Sequence, residues 1–476
     1  MTLKDKVIDI FKEINQIPRG SGNELNISNW LIKLGKNNNW ETFQDDVLNV
    51  ILKVPGKGDL AHKETVIIQG HMDMVCVKEV GSNHDFTKDP IQMYIEDGWL
   101  KAKGTTLGAD NAVALAIGLA IALEKNISHP PLELLFTIDE ERGLTGAKAL
   151  KPDMLKGKYL INIDSGDFDD FTIGCAGGRD VIFSLPLVYE DITYPKMYFE
   201  LSIDKLRGGH SGIQINEQKP NAIHLITRIL KKIIDKTNNF NICYFDAGVA
   251  HNAIPTNATV RFSTDDAGLI NEICSDMFKI IRNEYRETEP EMTLSINKLD
   301  TCDCPSFTYE LSRQLISLIM ALPHGVFNMS KSEGLVETSN NLAILSITDN
   351  VLNMLLSIRS AIASKSDFLT EKIKAIATLG DFDLNVCNGY PAWEPNYNSD
   401  LIKKSVLAYK KLFDKEPKIK IIHAGLECGI IGDKYPGMEM LAIGPEILDA
   451  HTPQERLKID DIDKIVLFLL ELFQNL

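Results

Sequence analysis

The chain has no apolar run long enough to cross a bilayer. The longest, Ala112 to Leu123, falls short of the roughly 20 residues that a spanning helix needs. Positive charge is also in short supply: 50 lysines and arginines face 66 aspartates and glutamates, for a net charge of −16. Such a surface repels nucleic acid and anionic membranes, which excludes both as natural partners. Cysteine pairs at zinc spacing are missing. The eight cysteines are scattered, and Cys302 and Cys304, the closest two, leave one residue between them where zinc pairs leave two to four. Free thiols point to a cytoplasmic protein, as does an N-terminal segment without a basic stretch, apolar core and small-residue cleavage site. Glycine (32) and proline (19) are near average, so collagen-like and disordered chains are excluded too. No His-Glu-x-x-His, Gly-x-Ser-x-Gly or Gly-x-x-x-x-Gly-Lys occurs, which removes three common catalytic frames.

What is present is an ordinary globular balance, 44% hydrophobic and 24% charged, over 476 residues. That length favours more than one domain and buries a core without disulfides. From the N-terminus, helical spacing over Leu3–Ile17 precedes short β-branched or apolar runs at 47–54, 65–69, 133–138 and 159–163, with an almost wholly apolar helix over 112–124. This alternation predicts an α/β unit with a largely parallel sheet flanked by helices. The middle differs. Strands near 197–203 and 259–262 alternate with helices over 221–234 and 269–285. A second round follows: a helix over 309–320, strands near 342–347 and 352–358, a helix over 368–378 and a strand near 383. Two βαβ-rich halves of an α+β domain are expected there. After Tyr390 the first texture returns.

Four short segments carry chemistry. Gly70-His71-Met72-Asp73 follows an apolar strand, and alternation would place His71 and Asp73 on one side, as a metal ligand and its orienting carboxylate. A lone His-x-Asp means little. Gly108-Ala109-Asp110-Asn111 opens the buried helix, where Asp110 is equally suited to be a cap. Asp139-Glu140-Glu141 closes a strand, as a solvated acidic loop or as a ligand beside a proton carrier. Asn162-Ile163-Asp164-Ser165 puts an acid at another strand end. Ligands of open α/β sheets gather at the carboxyl ends of strands, so three such ends bearing acid or histidine weigh more than any one.

Taken in order, these motifs resemble the co-catalytic zinc exopeptidase family that includes carboxypeptidase G, aminoacylase and carnosinase. Ile17-Pro18-Arg19-Gly20-Ser21-Gly22-Asn23-Glu24 and the large middle insertion look like its bacterial cytosolic aminoacyl-histidine dipeptidase branch. The resemblance spans essentially the whole chain. It implies two divalent metal ions, zinc or else manganese or cobalt: His71, Asp110 and Asp164 would hold one, and Asp110, Glu141 and His451 of Ala450-His451-Thr452-Pro453 the other. It further implies Asp73 as the orienter of His71 and Glu140 as general base toward a shared water. Ala112 departs from the pattern, which often has glycine there.

A ligand at 451 and four ligand segments between 71 and 164 must converge. The expected domains are therefore a catalytic part over 1–179, an inserted lid for substrate binding and dimerisation over 180–387, and a second catalytic part over 388–476. In the insertion, Gly208-Gly209-His210-Ser211-Gly212 resembles the family's lid motif, whose histidine donates to the oxyanion. Asn252 and Arg359 match substrate-binding positions, and arginine suits a carboxylate because it bonds bidentately. Glu427 in Ala424-Gly425-Leu426-Glu427 is a candidate for the substrate's free amino group, or else a surface acid. The remaining histidines are read as making local hydrogen bonds; of these, His251 and His423 adjoin family motifs. The expectation is a cytoplasmic, homodimeric metallo-dipeptidase that cleaves unblocked dipeptides such as β-alanyl-histidine. N-acyl amino acids or tripeptides are the alternative substrates, and a non-catalytic metal-binding or interaction protein the alternative of another class.

Overall fold

A computed structural model describes residues 2–191, 194, 196–330, 335–387 and 389–476. The chain forms two compact units, one of Met1–Cys175, Trp393–Ile422 and Leu426–Leu476, the other of Ala176–Ala392 and His423–Gly425. The boundaries read from sequence lie a few residues away, and Asn388 falls outside the described residues. His423–Gly425, grouped from the sequence with the second catalytic part, belongs to the second unit.

In the first unit, eight strands form one mixed sheet in the order Glu41–Gln44, Val50–Val54, Leu132–Thr137, Val66–His71, Tyr159–Asn162, Glu439–Ala442, Asp170–Cys175 and Lys418–Ile422. Val66–His71 runs parallel to both neighbours, and all three of these strands are buried along their whole length. Burial on both faces is why they read as continuous apolar runs. Register then sets the site: His71 lies opposite Thr137, and Gln69 opposite Asn162. Three neighbouring strands thus end at one edge, and the residues that follow are Asp73, Asp139–Glu141 and Asp164.

Helix Ala109–Leu123 packs on Val66–His71 and on helix Leu3–Ile14. Alanine, valine, leucine and isoleucine fill it almost all round, as suits a helix covered on every side. Gly70 permits the approach, since a Cβ there would stand 2.4 Å from Ala114 Cβ and 2.3 Å from Asn111 Oδ1. Leu3–Ile14 begins at a capping box in which Asp5 N donates to Thr2 Oγ1 and Thr2 N donates to Asp5 Oδ2. It buries Val7, Ile8, Ile10, Phe11 and Ile14.

The second unit has its own core and a sheet whose neighbouring strands are all antiparallel, in the order Thr293–Leu299, Met197–Asp204, Ala258–Thr264, Phe240–Ala247, Val336–Thr348, Val351–Ser360, Gly177–Pro186 and Asp383–Val386. The βαβ units are split. Met197–Asp204, helix Ala222–Ile234 and Phe240–Ala247 form a right-length crossover with Ala258–Thr264 lying between the two strands. Val351–Ser360, helix Ala363–Gly380 and Asp383–Val386 repeat this around Gly177–Pro186. The halves join through the single pair Ala247 and Leu345.

Candidate metal centre

His71 ends its strand with the ring almost fully buried. Its Nδ1 lies 3.2 Å from the Asp73 carbonyl oxygen and 3.3 Å from Asp73 Oδ1. Both partners are acceptors, so Nδ1 carries the proton and the Nε2 lone pair is left facing inward. There it meets Asp110 Oδ1 at 3.1 Å and Asp164 Oδ1 at 3.8 Å. On the other side of Asp110, Oδ2 is 3.2 Å from His451 Nε2, which is 2.9 Å from Glu141 Oε1. Two clusters, His71/Asp110/Asp164 and Asp110/Glu141/His451, thus share Asp110. Asp110 and His451 are 341 residues apart in the chain.

These groups fit a pair of divalent cations. Ligands held at about 2.0–2.1 Å in a tetrahedral array stand roughly 3.3 Å from one another, close to the contacts seen here. Among the described residues no lysine or arginine forms an ion pair with Asp110, Glu141 or Asp164. Glu141 Oε1 is buried without a hydrogen bond despite its approach to His451. The electrostatics also call for positive charge. Burial and neighbouring acids push Asp164 up to about 8. Burial pushes Asp110 the same way, but the His451 and His71 imidazoles outweigh it and hold its carboxyl well below the usual range. The adjoining Asp110 and Glu141 carboxylates raise His451 to about 10. Burial raises Glu140, which joins His71 and Glu141 in a further cluster.

Asp73 does more than face His71. Its Oδ1 accepts from Glu140 N (3.0 Å), and its Oδ2 from Glu141 N (3.3 Å) and Ser21 Oγ (2.7 Å). One buried carboxylate therefore fixes both the imidazole and the turn that presents the two glutamates. Asn111 makes a second link: His71 N donates to its Oδ1, while its Nδ2 donates to Ile163 O and Asp164 Oδ1. Ala112 is wholly buried in the helix that starts here, and the five candidate ligands remain grouped.

Two supports escaped the reading of the sequence. Glu455, buried, accepts from the backbone N–H groups of Leu107 (2.8 Å), Gly108 (3.0 Å), Ala109 (2.8 Å) and Asp110 (3.4 Å). It thereby ties the segment bearing His451 to the turn bearing Asp110. The Arg19 guanidinium, also buried, donates to Met72 O, Asp73 O, Gly108 O and Asn15 Oδ1. Gly108 has φ +69°, and a Cβ there would lie 2.3 Å from Arg19 Nη2. Burial lowers Arg19 to about 10, so it stays charged at neutral pH. The available signal was position: Glu455 is four residues past His451, and Arg19 sits inside the Ile17–Glu24 segment.

Glu427 is not a surface acid. It is fully buried, its Oε2 accepting from Gln69 Nε2 and Thr137 Oγ1, both at 2.6 Å, while Oε1 has no partner. Burial raises it to about 7.

In the second unit, His210 Nδ1 accepts from Gly212 N and Ile213 N, both at 3.1 Å, which puts the ring proton on Nε2. Burial, with Arg359 and His251 adding to it, lowers its pKa and keeps the ring neutral. Arg359 is buried and donates from Nη1 to Tyr390 Oη at 2.9 Å; its Nε has no partner. Asn252 is exposed, and its carbonyl accepts from Ser211 N. His423 bonds Ser339 Oγ at 2.7 Å, and burial, helped by Arg359 and His210, lowers it to about 3. His210 thus lies within electrostatic reach of Arg359, His251 and His423 in this unit.

An α/β unit that collects two imidazoles and three carboxylates at its strand ends, with an α+β unit inserted, is the frame of a hydrolase. The family description "Peptidase family M20/M25/M40" matches residues 67–475. The cytosol non-specific dipeptidase of Escherichia coli (strain K12) is 34% identical over 98% of this chain and 97% of its own length. A crystal structure of aminoacylhistidine dipeptidase from Vibrio alginolyticus superposes with a TM-score of 0.89 at 32% identity, covering 99% of this chain and 96% of that one. Aminopeptidase PepT from Bacillus cereus ATCC 10987 shares the fold, with a TM-score of 0.56 at 18% identity over 99% of this chain and 98% of its own. The chain belongs to peptidase family M20/M25/M40 and is a peptidase. No helix among the described residues is long and apolar enough to cross a membrane.

Proposed function

We propose that this peptidase is a metal-dependent, cytoplasmic dipeptidase acting on unblocked dipeptides, Xaa-His among them. The observation that carries the reading is the double cluster around Asp110: His71, Asp110 and Asp164 would hold one divalent cation, zinc in the first instance, and Asp110, Glu141 and His451 the other. Such a pair, when bound, polarises the scissile carbonyl and makes the attacking water more acidic. The chain's own residues do the rest. Asp73 keeps the proton on His71 Nδ1. Glu140, a raised carboxyl beside the cluster, takes the proton of the attacking water and hands it to the leaving amine. His210 offers its Nε2–H to the oxyanion that develops on the substrate. Arg359 pairs with the substrate carboxylate, and Asn252 contacts the same substrate. Glu427 keeps only Oε1 for a free amino group, because Gln69 and Thr137 occupy Oε2. A homodimer belongs to the proposal through the family resemblance alone. Support for dipeptides comes from the two full-length relatives, one named for aminoacylhistidine substrates and one named non-specific.

The test is a hydrolysis panel of free dipeptides, N-acetylated dipeptides and tripeptides, run with zinc, manganese or cobalt and after chelation. Free dipeptides should be cleaved best, and chelation should abolish the activity reversibly. A chelated enzyme at full rate would sink the metal assignment; N-acetylated substrates cut as fast as free ones would sink the dipeptidase assignment.

A further inference from the structure

In the first unit a cavity of about 390 Å³ opens against Glu141. One wall is Met74-Val75-Cys76, the direct continuation of the Gly70–Asp73 motif, and Phe86 faces in from a separate loop. Phe86 is itself held, its ring edge-on to His84 at 4.5 Å and packed on the main core. Several polar groups around the cavity are committed elsewhere. Ser21 Oγ donates to Asp73, Thr87 Oγ1 donates to Asp85, and Arg142 Nε donates to Asp139 at 2.6 Å. Glu141 points its Oε1 at His451. An incoming side chain therefore meets mainly the apolar surface of Met74, Val75, Cys76 and Phe86, with Arg142 the one cation of the lining, which favours aliphatic, thioether or aromatic groups and penalises a second cation.

We infer that this cavity receives the side chain of the dipeptide's N-terminal residue and selects for an apolar one. The inference rests on the dipeptidase reading above. Glu141 both lines the cavity and belongs to the cluster that would face the scissile carbonyl. The N-terminal residue's side chain branches from the atom next to that carbonyl, so it is the part of the substrate that reaches the neighbouring space. Glycyl and β-alanyl dipeptides leave the cavity empty, whereas leucyl, methionyl and phenylalanyl dipeptides fill it. Specificity at this position thus comes from Met74, Val75, Cys76 and Phe86.

The experiment compares kcat/KM for Gly-His, β-alanyl-histidine, Leu-His, Met-His, Asp-His and Lys-His in the metal-loaded enzyme, in Cys76→Trp and in Thr87→Trp. Cys76 and Thr87 are exposed and lie on different walls, so either indole can fill the space without entering the core. In the parent, Leu-His and Met-His should exceed Gly-His, β-alanyl-histidine and Asp-His by about 10-fold or more, with Lys-His below all of them. In each filled variant the Leu-His to Gly-His ratio should fall toward one. Equal rates across the panel, a preference for charged first residues, or a ratio that survives both tryptophans would overturn the cavity assignment while leaving the dipeptidase standing. A parent that cleaves none of the six would overturn both.

Discussion

Glu455 offers a sharp test of how the centre is built. Replacing it by alanine strands as many as four backbone donors in a buried turn and removes the strongest of the nearby negative charges that help keep Arg19 protonated, leaving Asp73 and Asp110. Unpaired buried donors cost about 1–3 kcal/mol each, less whatever water entering the vacated space restores. A net loss of about 3–5 kcal/mol is therefore expected for Glu455→Ala, in line with removing one partner of a buried charge pair. For a unit of this size, each kcal/mol lowers Tm by about 2–4 °C, so metal-free Glu455→Ala should melt roughly 10 °C below the parent. Glu455→Gln keeps one oxygen for two of the donors but turns an amide N–H toward the others, and should fall between the two. Because the same carboxylate sets Asp110 against His451, metal affinity measured by chelator competition should drop about 10- to 100-fold. Gln454→Ala, an exposed neighbour, is the control and should stay within about 0.5 kcal/mol. The assay is calorimetry on chelated protein, which separates intrinsic stability from stabilisation by bound cation. A Glu455→Ala protein with parental Tm and parental metal affinity would refute the reasoning.

Glu140→Gln should keep both cations by elemental analysis and lose about 10²- to 10⁴-fold in kcat; parental turnover would remove Glu140 as the base. Asp110→Ala should lose metal from both clusters, and a full complement of two would contradict the sharing of Asp110. The second unit should weaken in acid. His224 and His324 pack edge to face, 5.5 Å between ring centres, and burial holds them at about 4 and about 3. Lys219, Arg228 and Tyr285 line the same cavity, and none is an anion that would favour imidazolium; the acids Glu217 and Glu284 are tied to Lys219 and Arg228. The unfolded chain binds these protons near pH 6.5 and the folded chain only at the lower values, so stability is whole above about pH 6.5 and declines as pH falls toward 4. The slope is at most about 1.4 kcal/mol per pH unit for each ring. His324→Gln should flatten the acid limb of the stability profile measured by denaturant unfolding, and an unchanged limb would count against this account.

Much of the fold lay open in local pattern. The one-sided helix Ala222–Ile234 announces itself through periodicity, and the apolar helix Ala109–Leu123 and the buried strands at 66–71, 132–137 and 159–162 through continuous apolar runs, signals that depend only on residues a few positions apart. Helix Leu25–Asn37 did not, because Gly35 and several asparagines dilute its apolar stripe. Thr293–Leu299 and Met93–Glu96 are half-exposed, so their polar positions hide the alternation. The antiparallel pairing of the second unit was also out of reach, since nothing local says that a third strand will enter between the two strands of each βαβ unit.

For the centre, the sequence supplied the ligand types and their motifs, because a strand end or helix start bearing His, Asp or Glu is visible where it stands. The meeting of His451 with Asp110 was implied by the family resemblance alone, and nothing in the sequence indicated the Asp73 carboxylate bridging His71 to the Glu140–Glu141 turn, or the roles of Glu455 and Arg19. Those depend on which strands become neighbours and in what register, and on the close approach that Gly70 allows one helix. Contacts between residues tens to hundreds of positions apart are set by packing the whole core at once, so only the tertiary structure decides them.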